Sequence, residues 1–81
     1  MRITVRLFAS QRETLGRSSL EMEVPDGTTA AGALARLTQT HHGLGAPDGA
    51  IAFAVNHEHA SPETALHHGD ELALLPPVAG G

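Results

Sequence analysis

Residues 19–37 read SLEMEVPDGTTAAGALARL, and their hydrophobic period changes halfway. Leu20, Met22 and Val24 alternate with Glu21 and Glu23, the period of two that a strand with one buried face requires. Residues 25–27, PDG, then form a turn: proline presets φ, aspartate bonds following amides, and glycine accepts positive φ. From there apolar residues recur at helical spacing, at Ala30, Ala33, Leu34 and Leu37, with Thr28 or Thr29 placed to cap. The predicted helix runs to about His42 and is stopped by Gly43. Gly32 within it costs about 1 kcal/mol relative to alanine, so the helix depends on packing against a sheet more than on propensity.

Working outward, residues 2–8, RITVRLF, place Ile3, Val5 and Leu7 on one face of a strand that pairs antiparallel with the 19–24 strand. The ASQRETLG segment between them holds a helical turn ended by Gly16. On the other side, AIAFAVN at 50–56 reads as a third strand near the middle of the sheet. Ile51, Phe53 and Val55 line one face, and small alanines line the other, lying under the helix or a neighbour. Residues 56–68 are irregular by periodicity, with Ser61 and Pro62 opening a capped turn. Gly69 and Asp70 turn the chain into ELALLP, which presents Leu72 and Leu74 on one face and Ala73 and Leu75 on the other.

The resulting β-β-α-β-β order predicts an α+β layer architecture of the ubiquitin-like β-grasp type: a mixed sheet of four to five strands covered by one main helix. Residues 1–75 form the domain, and 76–81 an extended, flexible C-terminal tail. Ile3, Val5, Leu20, Val24, Leu34, Leu37, Phe53 and Leu72 are its predicted core.

Eighty-one residues suffice for one core and no second. With no cysteine, the chain has no disulfide, thiolate metal site or thiol nucleophile. Nine acidic residues against five arginines give a formal charge of −4, without a basic cluster and with Phe8 and Phe53 as the only aromatics. That composition argues against nucleic acid and for protein partners, preferably basic ones. The start lacks a basic-then-apolar leader pattern, and no stretch approaches the ~20 apolar residues of a membrane span, so a cytoplasmic protein without membrane attachment is expected. All five cations being arginine, no side-chain amine can accept an isopeptide bond.

The histidines at 41, 42, 57, 59, 67 and 68 span three segments without zinc-motif spacing and are read as surface residues; no metal site is expected. Asp70 is read as a turn residue, and Arg12 and Glu13 as a solvated loop pair. The chain has no nucleophile, acid-base pair or cofactor loop that would make it an enzyme by itself.

The last stretch, LLPPVAGG at 74–81, carries apolar residues and prolines up to a terminal Gly-Gly. Together with FASQRETLG, AVN at 54–56, GDELALLPPVAGG, the chain length and the strand order, it resembles the small subunit of molybdopterin synthase (MoaD type), in the MoaD/ThiS sulfur-carrier family. The resemblance covers essentially the whole chain. It implies that Gly81 is adenylated by an activating enzyme using ATP and converted to a thiocarboxylate by a sulfur donor. The tail then enters the large catalytic subunit and delivers sulfur to a pterin precursor. Carried over, Gly81 bears the sulfur, while Leu75, Pro76, Pro77, Val78, Ala79 and Gly80 contact the partners. No cofactor is implied on the chain itself.

The residues suit that chemistry. An ionised carboxylate is a poor electrophile until activated, and two residues without Cβ pass a narrow channel. Residues 76–81 reach at most ~20 Å, and two prolines reduce the entropy lost on insertion. The chain departs from the family at Leu74 and Leu75, where aromatics commonly precede the prolines, and at His68, where aspartate commonly precedes GDE. Carriers feeding thiamine, cysteine or tRNA thiolation, and ubiquitin-like protein modifiers, share the fold and terminus; FASQRETLG and LLPPV favour the molybdopterin branch.

Overall fold

The computed structural model describes residues 1–8, 10–41 and 51–75. Within them the chain forms β1 (Arg2–Arg6), α1 (Ser10–Leu15), β2 (Ser19–Glu23), α2 (Ala30–Thr40), β3 (Ala52–Val55), β4 (Glu58–Ala60) and β5 (Glu71–Leu75). The strands make one sheet in the order β2-β1-β5-β3-β4. β1 is parallel to β5, and every other neighbouring pair is antiparallel. This is the mixed β-grasp sheet, at the upper end of the expected strand count.

The β1–β2 pairing follows the alternation: Val5 faces Leu20 and Ile3 faces Met22, so both strands turn the same apolar set to one side. On that side Ile3, Val5, Leu7, Leu72 and Leu74 are essentially sealed from water, and α2 lays Ala30, Ala33 and Leu37 over them. Seven of the eight expected core residues are buried. Leu34 is the exception, half-buried at the margin of the helix stripe and packed against the core from the side.

The helix begins where threonine chemistry allows. The Thr29 hydroxyl accepts the Gly32 amide at 3.1 Å, while Ala33 N–H reaches the Thr29 carbonyl at 2.9 Å. The remaining first-turn amides, of Ala30 and Ala31, donate to the Thr64 and Pro62 carbonyls at 3.0 and 2.9 Å. The amides of Ala30, Ala31 and Gly32, which have no partner within the helix, are thus satisfied, two of them by the 61–66 segment. α2 ends at Thr40, two residues short of the expected His42; Gly43 lies outside the described residues.

One sequence expectation is corrected. The 56–68 segment is not irregular throughout, because it contains β4, joined to β3 by a two-residue turn with Asn56 at φ 52° and His57 at φ 71°. Positive φ at both turn positions is the hairpin geometry whose twist matches the flanking strands. β3 is an interior strand near the middle of the sheet, as expected, and the centre itself is β5, which lies between β1 and β3 with Leu72 and Leu74 fully buried. The element between β1 and β2 is the short helix α1, closed by Gly16 at φ 72°, whose amide donates to the Arg12 carbonyl.

Candidate functional site: the strand that carries the tail

The predicted site begins at Leu75, the last residue of β5. The other site residues, Pro76, Pro77, Val78, Ala79, Gly80 and Gly81, lie outside the described residues. What the structure defines is the base from which they depart. β5 is laddered on both sides, to β1 and to β3.

Its start is tied as firmly as its middle. Asn56 accepts the Glu71 amide on its side-chain oxygen at 3.0 Å, donates from its side-chain nitrogen to Asp70 at 2.9 Å, and gives its own amide to the Glu71 carbonyl at 2.8 Å. Asp70 also accepts the His67 amide at 2.7 Å. Partial burial of the Asp70 carboxyl acts to raise its pKa. The hydrogen bonds from Asn56 and His67, with the charge of His67, outweigh that effect and hold the group below its ordinary value. Glu71 takes Arg6 at 3.2 Å on one oxygen and His57 at 3.1 Å on the other. Asp70 is thus the turn residue that the sequence indicates, and Asn56, part of the AVN segment, is its partner.

The face of β5 turned away from α2 presents Ala73 and Leu75, both half-buried. Register sets Ala54 beside Ala73 and Ala52 beside Leu75 on β3, Arg6 beside Ala73 on β1, and His59 beside Ala54 on β4. A patch of small apolar side chains therefore adjoins the point where the chain passes to residue 76. Of the two placements the sequence allows for the alanines of AIAFAVN, under the helix or under a neighbour, the helix is not the one: Ala52 and Ala54 lie on this open face, Ala52 exposed and Ala54 half-buried. Their alternation with Ile51 and Phe53 was the available signal, and helix packing against the Phe53 side decides which face is free. Farther along the sheet the face becomes charged, with Arg2 between Glu21 at 3.7 Å and Glu23 at 3.1 Å.

A separate open cleft of about 300 Å³ lies between β4 and the 61–70 segment, lined by residues including His59, Thr64, His67 and Asp70. It sits at the Asp70 end of β5, opposite Leu75, about 13 Å away for a five-residue strand. Among the described residues no group of three or more His, Asp or Glu side chains is placed to hold a metal ion. His57, His59, His67 and His68 are exposed, His41 is half-buried, and His42 lies outside the described residues. Arg12 and Glu13 are exposed. No helix among the described residues is long and apolar enough to cross a membrane.

The model of the ThiS family matches residues 5–81. The chain is 36% identical over 83 residues to the molybdopterin synthase sulfur carrier subunit of Chlamydomonas reinhardtii, covering all of both chains. Among solved structures, it superposes on small archaeal modifier protein 1 of Haloferax volcanii with a TM-score of 0.83, at 33% identity over 95% of this chain and 98% of that one. It also superposes on one chain of the complex of subunits 1 and 2 of the molybdopterin-converting factor from Helicobacter pylori, with a TM-score of 0.67 at 28% identity and full coverage of both chains.

Proposed function

The chain belongs to the ThiS family, and from that membership we propose that it is a sulfur carrier in molybdopterin synthesis, working through the terminal carboxylate of Gly81. The observation that carries this reading is the end-to-end match to a molybdopterin synthase sulfur carrier subunit, which leaves no part of either chain uncovered. The geometry of β5 supports it. A tail that must be threaded into a partner profits from a base that does not move, and β5 is fixed on both edges and at its start.

In this reading an activating enzyme transfers the adenylyl group of ATP to the Gly81 carboxylate, which makes its carbonyl open to attack. Sulfur from a donor displaces AMP and leaves a thiocarboxylate. The large subunit of the synthase then receives the tail, with Leu75 and residues 76–80 in contact, and takes the sulfur for its pterin precursor. The chain is a recycled co-substrate that binds no cofactor; catalysis belongs to the partners, in the cytoplasm.

Incubation with a cognate activating enzyme, ATP and a sulfur donor is expected to raise the intact mass by the difference between one sulfur and one oxygen, with fragmentation placing the change at Gly81. Deleting Gly81 withdraws the carboxylate by ~3.3 Å and abolishes thiolation while the domain stays folded. A deletion chain that is thiolated as well as the parent would overturn the reading.

The likeness to a small archaeal modifier protein favours one second reading, conjugation of the same terminus to lysines of other proteins. Adducts bearing the C-terminal Gly-Gly on lysines of a cell extract would establish it.

A further inference from the structure

A sheet edge left unpaired offers its backbone donors and acceptors to another chain, and the two edges of this sheet offer different amounts. Between β1 and β2 the Leu7 amide donates to the Ser18 carbonyl at 2.8 Å and the Val24 amide to the Met1 carbonyl at 2.9 Å. Those bonds set the phase of the ladder, so its hydrogen-bonded rungs include Ile3–Met22 and Val5–Leu20. The intervening residues aim their backbone groups the other way. On β1 these groups serve β5: the Thr4 amide reaches the Asp70 carbonyl at 3.0 Å, and the Gly69 amide the Arg2 carbonyl at 2.8 Å. On β2, which ends the sheet, they are the N–H and C=O groups of Ser19, Glu21 and Glu23, and among the described residues no strand lies beyond them. The Ser19 carbonyl takes the Arg17 guanidinium at 2.9 Å. At the opposite edge, the bond from the Asn56 amide to the Glu71 carbonyl sets the phase and leaves only His59 of β4 facing outward. β2 is therefore the edge on which a further strand can make several rungs.

The side chains select what pairs there. β2 carries none of the lysine, proline or bulge that usually blunt an edge, and its five pairs with β1 run without a break. Its deterrent is negative charge. Glu21 and Glu23 are 66% and 69% exposed on the face away from α2, and Arg2, at 3.7 and 3.1 Å from them, cannot offset both. A second copy paired antiparallel about Glu21 or Met22 would set these carboxylates opposite themselves or each other, which is destabilising. A strand with cations at those positions meets the opposite sign. On the other face of β2, Met22 is half-buried and offers apolar surface.

We propose that β2 is a docking edge for an extended segment of a protein partner, paired antiparallel, with Lys or Arg at every second position and apolar residues between. The cations lie along Glu21 and Glu23, and the apolar residues fall on the side of Met22. Backbone pairing supplies affinity and the charge pattern supplies selection. The net charge of −4 acts in the same direction. This edge is distinct from the Leu75 surface, and the inference does not draw on the carrier reading.

The probe is an end-blocked peptide of alternating lysine and valine, about eight residues long so as to overrun β2, titrated into the isotope-labelled full chain and followed by amide resonances. Shifts should centre on Ser19–Glu23, and the Glu21 and Glu23 amides, which exchange rapidly in the free chain, should become protected. An alternating glutamate–valine peptide should not bind. Two isomers separate strand pairing from charge alone. N-methylation at the valines removes donors that face away from β2 and should leave affinity unchanged, whereas N-methylation at the lysines removes those that face it and should weaken binding at least ~10-fold. On the protein, Glu21→Pro deletes an outward donor without touching a rung to β1 and should likewise weaken binding at least ~10-fold, while Glu21→Gln, which keeps the donor, should bind more tightly than Glu21→Pro. Failure of the lysine–valine peptide to bind, shifts centred elsewhere, or isomers that bind equally or in the reverse order overturn the proposal. Protection of the Glu21 and Glu23 amides in the free chain overturns it too, because the edge is then already covered by the chain itself or by a second copy.

Discussion

Asn56 occupies a left-handed backbone position that asparagine tolerates better than most residues, and spends its side chain on the two residues that start β5. In doing so it neutralises the cost of partly burying Asp70. Because Asp70 titrates below its ordinary value in the folded chain, it contributes stability that is fully present above the unfolded-state pKa and is lost as pH falls through the lower folded value. The denaturation midpoint of the parent should therefore decline as pH drops below about 4, while Asp70→Asn, which cannot lose a charge there, should decline less. Parallel curves for the two chains would show that Asp70 is not the group responsible. Gly32 makes a second residue-scale test. By propensity, alanine there gains about 1 kcal/mol. A Cβ at this position would meet Thr28 Cγ2 and the capping Thr29 Oγ1, each at 3.3 Å. Crowding the cap offsets the propensity, so Gly32→Ala should fall short of that gain in urea denaturation, and a full ~1 kcal/mol of stabilisation would show that the threonines yield freely.

At the scale of elements, period and punctuation made most of the fold legible. Alternation in β1, β2 and β5 assigns Ile3, Val5, Leu20 and Leu72 to the core, and the Thr29 cap and helical spacing place α2 within two residues of its end. β4 escaped because it is three residues long with one partner strand, and because its turn is Asn56-His57 rather than the Asn-Gly or Asp-Gly pair that signals such a hairpin. The role of 61–66 escaped for another reason: backbone carbonyls of Pro62 and Thr64 cap the helix, and carbonyls are common to every residue. Strand order was equally hidden, since the parallel β1–β5 pair joins residues 67 positions apart with no local signal. Leu37 tests the helix-on-sheet layer directly. It is 3% exposed at the last turn of the apolar stripe, so Leu37→Ala should cost ~2–5 kcal/mol in chemical denaturation. An unchanged midpoint would remove α2 from the core.

For the whole molecule, the sheet has two faces with different duties. One is covered by α2 and supplies the stability; the other leaves Leu75, Ala73, Ala54 and Ala52 toward solvent beside the chain's exit to residue 76. The sequence marked Leu75 through the tail it precedes, whereas the alanines became part of the same surface only through the β3–β5 register, which periodicity does not specify. If the partners that receive the tail dock on this face, a charge placed there has to be desolvated. Leu75→Asp keeps the backbone pairing with Ala52 and changes a side chain that is only half-buried, so its folding free energy should stay within ~1–2 kcal/mol of the parent. Its affinity for both the synthase large subunit and the activating enzyme, measured by calorimetry, should fall at least ~10-fold, equivalent to 1.4 kcal/mol. Gln39→Asp, on the exposed side of α2, adds the same charge across the molecule and should bind as the parent does. The comparison separates a local contact from the general effect of a more acidic chain. If a folded Leu75→Asp protein binds both partners with parental affinity, the open face is not their contact surface, and recognition resides in the tail or on another surface of the domain.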